Sequence, residues 1–342
     1  MSSKMMRIVC GLAAVVLTSP LMMGMDCAGN FAGLPGGDPA ADTDPNMQGN
    51  QTAVDRSGIY VTNYGGDSVT IYALDASGDA APKRTISGAS TGLDDPLGIA
   101  RDTQRRVYVA NRSGCTVTVY EAGAGGDVAP VHTLTDPDMG SPEGLAIGID
   151  DGVFVSNCPT LGGCGGKAGV FHFSANATMS DYAITGPNTG ITVPVGVALD
   201  EARDLFVANA FGGNVSLFAP GQSGDQFPVR SFNPGGNTQS IAYGSAAILL
   251  GNGGSGINEY HSTASGNTMA VGNIGGIGYT GGIYFDTDVT PPVIYVADFF
   301  GNAVHIIQTV GVPPFLSIDT ITTIQGPSTG LSSPYGVLVV KL

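Results

Sequence analysis

The chain lacks tryptophan and carries little charge. Charged residues are 12% of its 342 positions, about half the share in an ordinary soluble domain. Only 13 are Lys or Arg against 28 Asp or Glu, a net charge of −15 at pH 7. Cations this few and this scattered exclude a nucleic-acid binder, because phosphate neutralisation needs Lys and Arg in a stripe. Sparse charge beside 53 glycines excludes a helical bundle or coiled coil. No apolar run reaches the ~20 residues of a membrane-spanning helix. Residues suited to catalysis are scarce too, with four His and only Glu121, Glu143, Glu201 and Glu259. There is no nucleophile elbow and no His-Glu-x-x-His, and the glycine pairs lie in turns rather than in a phosphate-binding loop. Hydrophobic residues nevertheless make up 42%, too many for a disordered chain.

The first segment reads as a signal. Lys4 and Arg7 precede an apolar run from Ile8 to Leu17, broken by Thr18-Ser19-Pro20. Cys27 follows, where lipid attachment in the manner of bacterial lipoproteins or plain cleavage nearby are both open. Residues 28–53 are rich in Gly, Pro and Asp with no apolar period, as in a flexible tether. The organisation expected is a signal over 1–27, a tether over 28–53 and a folded domain over 54–342. An exported protein is expected, lipid-anchored in the cell envelope or secreted, with no other membrane contact.

From residue 54 the chain repeats. Tyr60-Val61-Thr62-Asn63, Tyr108-Val109-Ala110-Asn111, Phe154-Val155-Ser156-Asn157 and Phe206-Val207-Ala208-Asn209 share one signature, with weaker copies ending at Asn252 and Asp298. The spacings are 48, 46, 52, 43 and 46 residues. A Pro-x-Gly precedes an apolar run at Pro96, Pro142, Pro194 and Pro334. A Ser/Asn-Thr-Gly-apolar turn occurs at Ser90, Asn188 and Ser328, and a Gly-Asp-x-x-Pro turn at Gly78, Gly126 and Gly224. Each repeat holds four short β-like runs, such as Leu97 to Ala100, Arg106 to Ala110, Thr116 to Glu121 and Val131 to Leu134. Four strands at this period make a β-propeller blade. The first repeat lacks an inner strand, and Ser333 to Leu342 is an inner strand with nothing after it. The fold expected is all-β: a six-bladed β-propeller with four-stranded blades, its ring closed by the C-terminal strand pairing with the N-terminal blade.

With the preceding Pro-x-Gly, these signatures resemble the NHL and YVTN repeats of bacterial six-bladed propellers, over residues 54–342. That resemblance implies the fold. It leaves function open, because such frameworks serve binding scaffolds, lyases and lactonases.

Residues repeated in every blade are expected to build it. The Asn or Asp closing each second strand holds a turn, and Asp102, Asp150, Asp200 and Asp286 do the same on the opposite face. Function is expected where the pattern breaks. Tyr64, Arg112, Phe211, Phe299 and Phe300 follow the turn Asn or Asp, and exposed rings there suit a sugar or a peptide. Lys167 ends an insertion in blade 3 that starts at Cys158, and this insertion is expected to add to the same binding contacts. Cys158–Cys164 is the disulfide expected, with Cys115–Cys158 its rival. The first function expected is a monomeric, non-enzymatic scaffold that binds a protein or an extracellular glycan without a cofactor. The alternative is a metal-dependent lactonase or hydrolase, with Glu143, Asn157 and Asn209 holding Ca2+ or another divalent ion at the channel mouth.

Overall fold

The computed structural model describes residues 55–159, 164–211, 213–254 and 256–341. The expectations for the signal, for Cys27 and for the tether lie outside them. Six antiparallel sheets follow one another along the chain. Blade 1 holds Gly58–Asn63, Ser68–Tyr72 and Arg84–Ser87, and Pro334–Val340 from the far end of the chain supplies its inner strand. Blade 2 runs through Pro96–Arg101, Val107–Asn111, Thr116–Tyr120 and His132–Leu134. Blade 3 begins with Pro142–Ile147, blade 4 with Pro194–Leu199, blade 5 with Thr238–Gly244 and blade 6 with Thr280–Asp286. The expected propeller and its closure by the last strand are thus both present. One addition is a short strand, Gly266–Asn267, laid parallel on the outer strand of blade 4.

The second strands show why the blades stack. Their side chains alternate between two neighbours, and both faces must be apolar. Ile59 and Val61 pack against blade 6, while Tyr60 packs against blade 2. Among the described residues six apolar clusters fill the six blade interfaces, so the core is divided between the sheets.

The Pro-x-Gly has a defined task. In every blade the pairing of inner and second strand slips by one residue at this point, a β-bulge. The bulge lets neighbouring inner strands crowd at the axis. A Cβ on Gly98 would stand 2.5 Å from the Glu143 carbonyl oxygen, and one on Gly144 2.9 Å from the Cα of Gly196. Glycine is therefore required by close approach.

The repeated polar residues hold turns, with Asp286 an exception: neither of its oxygens accepts a hydrogen bond, and it pairs with the Lys341 ammonium instead. The Asn209 side-chain oxygen accepts from the Thr192 amide at 2.8 Å, and its Nδ2 donates to the Asn214 carbonyl at 3.0 Å. On the opposite face Asp102 accepts from the Arg106 amide at 2.8 Å and from its Nε at 2.6 Å. His132, His172, His261 and His305 all lie on third or outer strands, away from the axis.

Candidate functional site

Three kinds of position meet at one end of the channel: Tyr279 just before the blade 6 bulge, the middle residue of the Pro-x-Gly or its equivalent in four blades, and the residues that follow the turn Asn or Asp. In blades 6, 1 and 2 the residue directly after that Asn or Asp is Phe299, Tyr64 and Arg112. With Phe211 and Phe300 they line one cup of about 170 Å³. Five of the six expected contact residues therefore share a site, and Lys167 is the one that does not. The bulge adds Leu97, Val195, Gln239 and Tyr335 as its floor, and Tyr279, just before the blade 6 bulge, joins its wall.

The rings form corners rather than a stack. Phe299 sits centrally, 5.7 Å from Tyr64 at 51°, 5.9 Å from Tyr279 at 56° and 5.1 Å from Phe300 at 85°. Tyr335 closes the base, 6.3 Å from Phe299 and nearly perpendicular to it. Phe211 and Phe300 are 66% and 74% exposed, so two rings of the rim are open to solvent. Phe211 is held there by its amide, which donates to Asn237 at 2.9 Å. Burial pushes the Tyr335 hydroxyl far up and the Tyr279 hydroxyl up, so both remain neutral donors.

Arg112 is the cup's charged group, and it is fixed. Its Nε donates to Glu143 at 3.0 Å and its Nη2 at 2.7 Å, a two-pronged pair with a fully buried carboxylate. The guanidinium also lies over the Tyr64 ring, 5.6 Å from its centre. Burial disfavours the Arg112 charge, but Glu143 outweighs it and the net direction is up. Burial raises the Glu143 carboxyl, and Arg112 pulls it back down.

The proposed ion ligands have other partners. Glu143 is occupied by Arg112 and by the Ser141 hydroxyl at 3.2 Å. The Asn157 amide oxygen accepts from the Ser141 amide at 2.7 Å, and its nitrogen donates to the Lys167 carbonyl at 2.7 Å. Asn209 is committed to its own turn. Lys167 is absent from the cup lining; its ammonium pairs with Asp138 at 2.6 Å on the exposed blade 3 loop. Among the described residues one carboxylate trio, Asp67, Asp94 and Asp95, gathers near blades 1 and 2. Burial and the other two carboxylates raise Asp94. Asp67 accepts from the Asp95 amide at 2.8 Å, and Asp95 accepts from the Ser113 hydroxyl, which ties these loops together.

The disulfide corrects the sequence reading. Cys164 is joined to Cys115 of blade 2, with Cα atoms 6.3 Å apart, and to neither Cys158 nor any other partner. Cys158 continues the second strand of blade 3, its amide bonded to the Ser141 carbonyl, and is fully buried. It faces inward while Cys115 and Cys164 lie on the surface turns, so the bond staples blade 3 to blade 2.

A signal for the floor residues was present in the sequence. The middle position of the Pro-x-Gly and its equivalents reads Leu97, Glu143, Val195, Gln239, Gly281 and Tyr335 around the ring. A position that varies inside a fixed motif is a place for specificity.

No protein-family model matches the chain, and no curated protein does. Solved structures do. A functionally unknown protein from Desulfotomaculum acetoxidans DSM 771 is similar at a TM-score of 0.53 and 15% identity, over 78% of this chain and 79% of that one. A chain of a nidogen/laminin complex gives 0.56 and 14%, over 82% and 97%. Streptogramin B lyase gives 0.54 and 12%, over 82% and 85%. At such identities the likeness shows a shared β-propeller fold and nothing of activity.

Proposed function

We propose that the protein is an exported propeller of the NHL or YVTN type that works as a binding scaffold, holding a protein or an extracellular glycan in the aromatic cup. The observation that carries this is the convergence of Tyr64, Phe211, Phe299, Phe300 and Arg112 on one concavity. Residues that break the repeat in four different blades meet at one place. Such a surface binds by shape and by ring burial, with a few fixed polar groups for orientation. The Cys115–Cys164 bond suits an oxidising compartment and so supports export. The fold neighbours include a component of a protein complex and a lyase, so the fold leaves binding and catalysis open. The channel mouth favours binding, because its Glu143 carboxylate is held by Arg112 rather than presented with other oxygen ligands.

The test is capture from the cell envelope with the full chain. A partner retained by the native protein and by Lys167→Ala, but lost with Phe299→Ala and Phe300→Ala together, supports the cup. Equal retention by the double variant overturns it.

A further inference from the structure

Resting on that reading, we infer that the cup takes a single ring of a neutral sugar, with the rest of the glycan lying across Phe211 and Phe300. Four features lead there. The first is size. About 170 Å³ is below the roughly 300 Å³ at which small-molecule pockets begin. The cup admits one ring-sized group, and the open rim must carry whatever extends from it.

The second is the polar inventory. Among the described residues, Arg112 Nη1 and the hydroxyls of Tyr64 and Tyr279 have no hydrogen-bond partner. All three belong to residues lining the cup. An apolar side chain of a peptide would cover these donors without bonding them, which costs free energy for each. A sugar ring presents hydroxyl acceptors around its edge and C–H groups on its face, which matches donors set between aromatic walls.

The third is orientation. Glu143 holds Nε and Nη2 of Arg112, so the guanidinium is fixed in place before any ligand arrives. A group already fixed lowers the ordering cost of binding.

The fourth is charge. Glu143 balances the Arg112 charge at the site, and the chain carries −15 overall. An acidic sugar meets no net cation and a repelling field.

The probes are maltohexaose, cellohexaose, mannohexaose and chitohexaose, with a hexauronate and an apolar hexapeptide beside them, titrated calorimetrically against the full chain. The expected result is saturable binding of at least one neutral hexaose, with the hexauronate weaker. Phe300→Ala, a change at an exposed ring, should weaken it by about tenfold or more. Tyr64→Phe and Tyr279→Phe delete only a hydroxyl, and each should weaken it about fivefold. Saturation transfer should reach ring C–H protons of the bound sugar. If no neutral hexaose binds but the peptide binds and is lost in Phe300→Ala, the sugar assignment falls and the binding cup stands. If neutral hexaoses bind unchanged in all three variants, the cup is the wrong site. If nothing binds and envelope capture also fails, both readings fall.

Discussion

Asp79 in blade 1 holds Ser328 after the last strand of blade 6, taking its amide at 2.6 Å and its hydroxyl at 3.0 Å across 249 residues of chain. The same latch joins Asp127 to the Ser90 amide at 2.7 Å and Asp225 to the Asn188 amide at 2.7 Å. Two motifs that repeat separately in the sequence are thus the two halves of one contact. The aspartate belongs to each Gly-Asp-x-x-Pro turn, and its partner to the Ser/Asn-Thr-Gly turn of the preceding blade. The latch at Asp79 closes the ring.

Asp79→Ala should therefore destabilise the protein by about 1 kcal/mol, a charge-assisted bond discounted for exposure. Asp127→Ala should cost a similar amount, because its geometry is the same. Urea unfolding measures both. A loss confined to Asp79 would mean that closure, not the bond itself, sets the cost. No loss in either would make the latch a geometric coincidence.

The Cys115–Cys164 bond closes a loop of 49 residues and spans two blades. By chain entropy such a loop is worth about 4 kcal/mol. Cys164→Ser should lower the melting temperature in oxidising buffer and remove most of its response to reductant. Peptide mapping under non-reducing conditions should recover Cys115 with Cys164, and Cys158 should alkylate only after unfolding, since it is buried. Recovery of Cys158 bonded to Cys164 would reverse the assignment.

The strands were legible because both faces of each second strand are apolar and the turns are marked by Gly, Asp and Pro. Closure was legible because Pro334–Val340 carries the Pro-x-Gly of an inner strand, and that strand pairs with Gly58–Asn63. Half of the cup was legible, because Tyr64, Arg112, Phe211, Phe299 and Phe300 interrupt a repeat. Tyr335, Gln239, Val195 and Leu97 were marked only by varying inside a fixed motif, and that mark is easily passed over because the motif reads as backbone punctuation and the bulge re-aims its middle residue. Tyr279 carried no mark at all, because blade 6 has Thr280-Gly281-Gly282 where others have Pro-x-Gly. The disulfide was illegible for another reason. Cys158 and Cys164 are near in sequence, but pairing follows side-chain direction, and Cys158 faces inward.

Metal content separates the two functional readings. Protein purified without chelators is expected to retain no stoichiometric divalent ion that depends on Glu143, whose oxygens lie on Arg112 and Ser141. Elemental mass spectrometry after incubation with calcium, manganese and zinc checks this. A one-to-one ion abolished by Glu143→Ala would turn the protein into a metal-dependent hydrolase, and lactones would be the first substrates to assay.

Arg112 and Glu143 should behave as one unit in stability. Arg112→Met leaves a buried carboxylate without its cation, a loss of about 3 kcal/mol or more. Arg112→Met with Glu143→Met should cost less than the sum of the single changes, because the double variant buries no lone charge. The pH response of Arg112→Met gives a second check. Burial already raises the Glu143 carboxyl above its ordinary value of 4.5, and Arg112 is the main group opposing that rise. Removing Arg112 moves it further up. A carboxyl raised in the folded state contributes its stability below the ordinary value, and that contribution is lost as pH rises through the folded one. Arg112→Met should therefore lose most of its deficit in mild acid and regain it toward neutral pH, whereas the double variant should not. Urea unfolding across that range measures the difference. An Arg112→Met deficit independent of pH would mean that Glu143 does not carry the charge that holds the cup's guanidinium in place.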